Sequence, residues 1–491
     1  MKPGEKEMNS VLKDIDYKKI FHYFEEISSV PRGSRNNKGI SDYLVTFAKE
    51  HGFYYEQDEL LNVIIIKEAQ KGYEHCEAVM LQGHMDMVCL KDPESLHDFA
   101  KDPLSLKIDG DFIRADKTTL GGDNGIAIAY ALAMLDSDEL VKQRLEVVIT
   151  TDEEIGLIGA TALDTSSLKA KYMVNLDSEE ESSILVGCAG GLTAVSELPV
   201  STEAVNGTKI AIKVNGLLGG HSGIDCINNR TNATILTARM LYSLQKEFDF
   251  AAHSMESGEK DNAIPSVSNV SVVVKKDQVN GFVEKVNALA EIYKKELQTS
   301  EPGLTITTTV ENEDCYACFT KESFDKILMF ITYQPNGIQT MSADIKGLVE
   351  SSLNLGIFKV EDGKALFSYS VRSSLASYKD FMSDKLEYFT KFLGGTYQRE
   401  GEYPAWEYKH ESKLRDIFVE VYREEFKREP IIETIHAGLE CGILANKIPG
   451  LDIVSIGPDM FDVHTPNERL SISSAIREFD YIVKVLDRLC K

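Results

Sequence analysis

The sequence is poor in the features that mark secreted, membrane-bound or nucleic-acid-binding proteins. Its opening stretch, MKPGEKEMNSVLKDIDYKKI, has no apolar core of the signal-peptide kind. No apolar run approaches the roughly 20 residues that span a bilayer. The chain is therefore read as cytoplasmic, with no membrane partner. Its eight cysteines (Cys76, Cys89, Cys188, Cys226, Cys315, Cys318, Cys441 and Cys490) are scattered and suggest no disulfide framework. Cys315 and Cys318 form a lone C-x-x-C. A zinc knuckle needs a second pair, and none follows, so two reduced thiols are expected. Basic residues are outnumbered, 53 against 78 acidic, for a formal net charge of -25. Such a chain repels phosphates, which excludes nucleic acid and anionic membranes as partners.

What remains is an ordinary globular composition, 43% hydrophobic and 27% charged. At 491 residues the chain is too long for one core, and two or three domains are expected. The most informative stretch is 145–160, LEVVITTDEEIGLIGA. Its β-branched apolar run reads as a strand covered on both faces. The strand runs into Glu153 and Glu154, whose side chains diverge. One can bind a metal while the other reaches an activated water. Alone, the cluster reads better as a solvated acidic turn with Asp152. Open α/β sheets, however, collect their chemistry at the carboxyl ends of strands, and other strand ends here carry similar groups.

One is 78–81 (AVML), which ends in Gly83-His84-Met85-Asp86. Residues two apart on an extended chain share a side, so His84 can face a metal with Asp86 orienting it from behind. As an isolated motif it is no more than a strand end. Next comes TLGGDNGIAIAY, where Gly121, Gly122 and Gly125 flank Asp123 before an apolar helix. The glycines permit a tight turn, placing Asp123 where a carboxylate can bridge two cations. A phosphate loop is discounted, because the Lys-Ser/Thr ending and the full dinucleotide spacing are both absent. The strand KYMVNL ends at Asp177, with Glu179 and Glu180 read as solvated. Near the C-terminus, the loop GPDMFDVHTP carries His464.

Between these halves the pattern changes. TKIAIKVNG alternates strictly, as an antiparallel strand with one exposed face does, and a β-α-β rhythm then appears about twice. The expectation is an α/β protein: a mixed, largely parallel sheet domain with helices on both faces (residues 1–191 and 402–491), split by an inserted α+β domain (192–401) that reads as a duplication.

His84, Asp123, Glu154, Asp177 and His464 thus form a mixed imidazole and carboxylate set. Such a set suits zinc, or cobalt and manganese less specifically, and suffices for two ions if one carboxylate bridges. The ordered motifs GHMD, GGDNG, TDEEIG, NLDSEE, GGHSG, HAGLECG and GPDMFDVHTP resemble the di-zinc metallopeptidase family of aminoacylases, carboxypeptidases and dipeptidases, in particular its aminoacyl-histidine dipeptidase branch, over nearly the whole chain. The resemblance implies two zinc ions per chain. His84 and Asp177 would hold one, Glu154 and His464 the other, with Asp123 bridging, often across a cis peptide to Asn124. Asp86 would orient His84, and Glu153 would be the general base. It further implies that the inserted domain 192–401 is a lid, with substrate contacts from His221, Asn262, Arg372 and Gly438, and with His436 and Glu440 nearby but without assigned roles. For His221, a loop histidine bonded only to backbone is the bland alternative. The implied activity is hydrolysis of small dipeptides, Xaa-His or broader, by a monomer or homodimer. An N-acyl amino acid deacylase on the same scaffold and a non-catalytic metal-binding relative are the alternatives.

Overall fold

The computed structural model describes residues 11–491. The part of the N-terminal reading that rests on the first ten residues lies outside the described residues. The chain divides into two compact units. The first comprises Met1–Gly187, Tyr408–Thr434 and Leu439–Lys491; the second comprises Cys188–Glu407 and Ile435–Gly438.

The first unit is built on a mixed eight-stranded sheet. Four strands at its centre run parallel: Leu145–Thr150, Val79–His84, Tyr172–Asn175 and Asp452–Ser455. Antiparallel strands flank them. Every residue of Val79–His84 and Leu145–Thr150 is buried. That requires cover on both faces, and it explains why these strands read as continuous apolar runs rather than alternating ones. The apolar helix Gly122–Leu135 packs on both strands. A separate four-stranded sheet joins Leu106–Asp109 and Phe112–Ala115 to the C-terminal hairpin of Met460–Phe461 and Arg469–Ser471.

The second unit is a nine-stranded sheet whose assigned strand pairings are all antiparallel. Helices Ala233–Gln245, Val279–Glu296, Lys321–Tyr333 and Ala376–Phe392 cover an apolar core that includes Phe282, Phe330, Phe358 and Phe367. Asn232 caps the first of these helices, accepting from the Thr234 and Ile235 amides. Two central strands, Gly190–Pro199 and Val349–Glu361, have no strong sequence signal. Their buried faces carry Ser196, Ser351, Ser352 and Asn354, which interrupt the apolar pattern while finding polar partners inside the fold.

The cysteines correct one expectation. Cys76 and Cys490 are disulfide-bonded, with Cα atoms 5.1 Å apart and 414 residues between them in sequence. A pair so distant leaves no spacing signal. Cys315 and Cys318 are free, one exposed and one buried. Both lie on the strand Thr305–Phe319, where residues three apart point to opposite faces. Among the described residues, no helix is long and apolar enough to cross a membrane.

Candidate metal centre

Parallel register sets three strand ends side by side in the first unit. His84 pairs with Thr150, and Gln82 with Asn175. The chain leaving Thr150 reaches Glu153 and Glu154, and the chain leaving Asn175 reaches Asp177. Asp123 and Asn124 open the helix Gly122–Leu135 with non-helical dihedrals, and the peptide between them is cis. His464 sits in the turn of the C-terminal hairpin with φ 62°. Non-glycine residues rarely adopt that conformation, and it clusters at functional sites.

These segments bring all five expected ligands together. His84 Nε2 lies 3.0 Å from Asp123 Oδ1 and 3.3 Å from Asp177 Oδ1. His464 Nε2 lies 3.1 Å from Asp123 Oδ2 and 3.1 Å from Glu154 Oε1. Asp123 therefore offers one oxygen to each histidine. Ligand atoms of His84, Asp123 and Glu154 fall within 4.8 Å of one another. Behind His84, Nδ1 faces the Asp86 backbone oxygen at 3.1 Å and its carboxylate at 3.4 Å. The same carboxylate accepts from the Glu153 amide (3.1 Å) and the Ser34 hydroxyl (2.8 Å). Asp86 thus ties the orientation of His84 to the backbone that carries Glu153.

The electrostatics of the site call for cations. Burial raises the Glu153 carboxyl to about 9, with Asp177, Glu440 and Glu154 adding to the effect and His84 opposing it. Burial also lifts Asp177 to about 6. Burial works to raise Asp123 too, but hydrogen bonds from His464 and His84 overcome it, and its carboxyl stays well below the usual range. Hydrogen bonds to Asp123 and Glu154 raise His464 to about 11. Acids that resist ionising, beside an imidazole that holds its proton, describe a cluster short of positive charge. Divalent ions would displace the imidazole protons and relieve the carboxylates. The donor types, imidazole nitrogen and carboxylate oxygen, fit zinc and its neighbours.

The four candidate substrate contacts lie in the second unit. His221 follows Gly219 (φ 63°) and Gly220 (φ 123°) in a loop braced by the Asp225–Arg230 ion pair. Its Nδ1 accepts from the amides of Gly223 (3.2 Å) and Ile224 (3.1 Å). With Nδ1 an acceptor, the neutral ring carries its proton on Nε2, leaving one N–H to donate. Burial and Arg372 lower its pKa, against Asp225. Arg372 is buried, donates from Nη1 to the Tyr403 hydroxyl at 2.9 Å, and leaves Nε without a partner. His436 has Nε2 at 2.7 Å from Ser352 Oγ and is held down to about 4 by burial, Arg372 and His221. Gly223 lies where these groups meet: a Cβ there would come 2.5 Å from the His436 backbone oxygen, 3.1 Å from His221 and 3.2 Å from Arg372 Nε. A Cβ on Gly438 would come 2.6 Å from the Tyr403 ring. Asn262 accepts from the Ser222 amide through its backbone oxygen at 2.8 Å, with its side chain exposed.

Comparison with known proteins fits this arrangement. Residues 80–490 match the model of peptidase family M20/M25/M40. The chain belongs to that family. It is 36% identical over 482 residues to the cytosol non-specific dipeptidase of Escherichia coli K12, covering 98% of this chain and 99% of the relative. The crystal structure of aminoacylhistidine dipeptidase from Vibrio alginolyticus superposes with a TM-score of 0.89 at 33% identity, covering 96% of each chain. An M20 metallo-carboxypeptidase of Sulfolobus solfataricus shares the fold (TM-score 0.53, 16% identity, covering 96% of this chain and 99% of that one). This M20-family chain is thus a peptidase, a hydrolase of peptide bonds.

Several residues around the site of this M20 peptidase have structural roles that the sequence does not assign. Asn124 accepts from the His84 amide (3.2 Å) and donates to the Leu176 carbonyl (2.7 Å), linking two ligand-bearing strand ends. Asp152, next to the two glutamates, accepts from the Arg35 amide (2.6 Å) and Asn37 side chain (2.7 Å) and so anchors the preceding loop. Glu440 is buried beneath the strands, accepts from Thr150 Oγ1 at 2.7 Å and from Gln82, and is raised by burial to about 7. The HAGLECG motif marks its place, but not its partners beneath the strands.

Proposed function

We propose that this peptidase hydrolyses dipeptides with a two-cation centre. His84 and Asp177 would hold one ion, Glu154 and His464 the other, and Asp123 would bridge them. Zinc suits the donor set best, with cobalt or manganese able to substitute. One observation carries the reading: the two oxygens of Asp123 approach different histidines, at 3.0 and 3.1 Å. The substrate class rests on the relatives, one named a non-specific dipeptidase and the other an aminoacylhistidine dipeptidase. We therefore expect dipeptides, Xaa-His or broader.

Bound at these residues, the ions supply Lewis acidity and make water a nucleophile near neutral pH. Glu153 takes the proton of the attacking water and returns it to the leaving amine, as general base and then general acid. Its amide bond to Asp86 keeps it in register with His84. In the second unit, Arg372 supplies the free guanidinium edge that a substrate carboxylate pairs with, joined by the backbone at Gly438 and by Asn262. His221 donates its Nε2 proton to the oxygen that becomes negative during attack. We assign this unit the role of lid. The cytosolic name of the Escherichia coli relative supports the same compartment here, and its reducing conditions would open the Cys76–Cys490 bond.

Chelation followed by dialysis should abolish hydrolysis of a dipeptide panel, and added zinc, cobalt or manganese should restore it. The same preparation should leave acetylated and succinylated amino acids intact. Dipeptidase activity that survives exhaustive metal removal would overturn the metal reading. Preferential cleavage of the acylated amino acids would replace dipeptidase by deacylase.

A further inference from the structure

Two buried charged side chains serve no step above, yet they hold the backbone on which the centre is built. Glu468 lies four residues beyond His464 and is 3% exposed. Its carboxylate accepts from four consecutive backbone amides: Leu120 (2.7 Å), Gly121 (3.0 Å), Gly122 (2.8 Å) and, more weakly, Asp123 (3.4 Å). Arg32 is 1% exposed and has no carboxylate hydrogen-bonded or ion-paired to it among the described residues. Its Nη1 donates to the backbone oxygens of Met85 (3.1 Å) and Asp86 (3.4 Å), and its Nη2 donates to that of Gly121. Gly121 is thus gripped from both sides, by Glu468 through its N–H and by Arg32 through its C=O.

This also explains two of the three glycines of GGDNG. A Cβ on Gly121 would come 2.5 Å from Arg32 Nη2, and one on Gly125 would come 2.6 Å from the same atom. Gly121 further requires φ 65°, which glycine adopts without steric cost. Gly121 and Gly125 make room for a guanidinium inside the protein, not for a phosphate outside it.

We propose that Arg32 and Glu468 are positioning residues that set where Asp123 stands between the two cations. Arg32 fastens the Asp123 turn to the segment carrying His84. Glu468 fastens the same turn to the segment carrying His464. Together they link both histidine segments to the bridging carboxylate through main-chain atoms. A buried charge is costly unless it is hydrogen-bonded; here Glu468 is met by backbone amides and both Arg32 Nη atoms by backbone oxygens at the site, while Arg32 Nε has no partner. Outer-shell partners of metal ligands commonly govern affinity by about 10- to 100-fold.

The inference rests on the two-cation reading, and the test separates them. Cobalt is titrated into metal-free protein, following the visible absorption of bound Co²⁺ and the equivalents retained on equilibrium dialysis. Wild type should take up two equivalents; if it takes up none or one, the two-cation reading itself fails. If wild type binds two, Glu468→Gln should lose affinity for an ion by about 10-fold or more, with a changed spectrum for the bound cobalt. In that variant the amide NH₂ faces backbone N–H donors. Arg32→Lys keeps the charge but not the fork, and should show the same loss. Thermal unfolding of the metal-free variants should stay cooperative. Two equivalents bound with wild-type affinity and spectrum in both variants would overturn the proposal. If one variant fails to fold, the other decides it.

Discussion

Glu153→Gln should retain two metal equivalents and lose dipeptide turnover by about 10²- to 10⁴-fold, the range typical of a removed general base. The loss should fall on kcat, with KM little changed, because the side chain acts on the proton in flight rather than on the resting substrate. Glutamine keeps the shape and the main-chain bond to Asp86 while removing the basic oxygen, so folding should be preserved. Glu153→Ala should behave alike. Steady-state kinetics on the reconstituted enzyme, with metal content measured on the same sample, checks this. Wild-type turnover in either variant would remove Glu153 from the role.

Arg372→Met should weaken dipeptide hydrolysis mainly through KM. The guanidinium is buried, holds one bond to Tyr403 and leaves Nε unpaired, which is the condition of a group prepared for an anionic partner. Removing one side of a buried charged pair typically costs about 2–5 kcal/mol, a factor of about 30 to several thousand in kcat/KM. Wild type should also reject a dipeptide whose carboxyl end is amidated. The methionine variant should treat the acid and the amide alike. A variant that still prefers the free acid by the wild-type margin would place carboxylate recognition elsewhere.

How far the sequence revealed this centre depends on how locally each feature is encoded. His84, Glu154 and Asp177 end or follow short apolar runs, so the strand pattern marks their places, and the parallel register of Val79–His84 with its neighbours aligns them. Asp123 was visible through its glycines. The reason for those glycines was not, because Arg32 lies about ninety residues upstream and meets them only in the folded chain. Glu468 was hidden likewise: four residues past a histidine ligand it reads as loop acid, and only the fold turns it toward the amides of Leu120 to Asp123. Asn124 enters the sequence reading only through its peptide bond to Asp123, and the bonds by which its amide spans two strand ends have no local signature. The Cys76–Cys490 pairing had no local signature.

In the second unit, buried serines and Asn354 disguised the strand Val349–Glu361. Yet that strand sets Ser352 opposite Arg372, which in turn sits opposite Gly191. Tyr403 then reaches Arg372 with its hydroxyl. Alternation flags a half-buried strand but carries no information about a polar side chain buried for a partner on another strand. That is why Arg372 and His221 entered through resemblance, whereas the ligand set entered through pattern.

The most direct measurement is anomalous diffraction at the zinc edge from crystals grown or soaked with zinc. Two strong peaks should appear, one beside His84 and Asp177 and one beside Glu154 and His464, with the Asp123 carboxylate between them. A single peak away from Asp123, or none near either histidine at full zinc loading, would contradict the account.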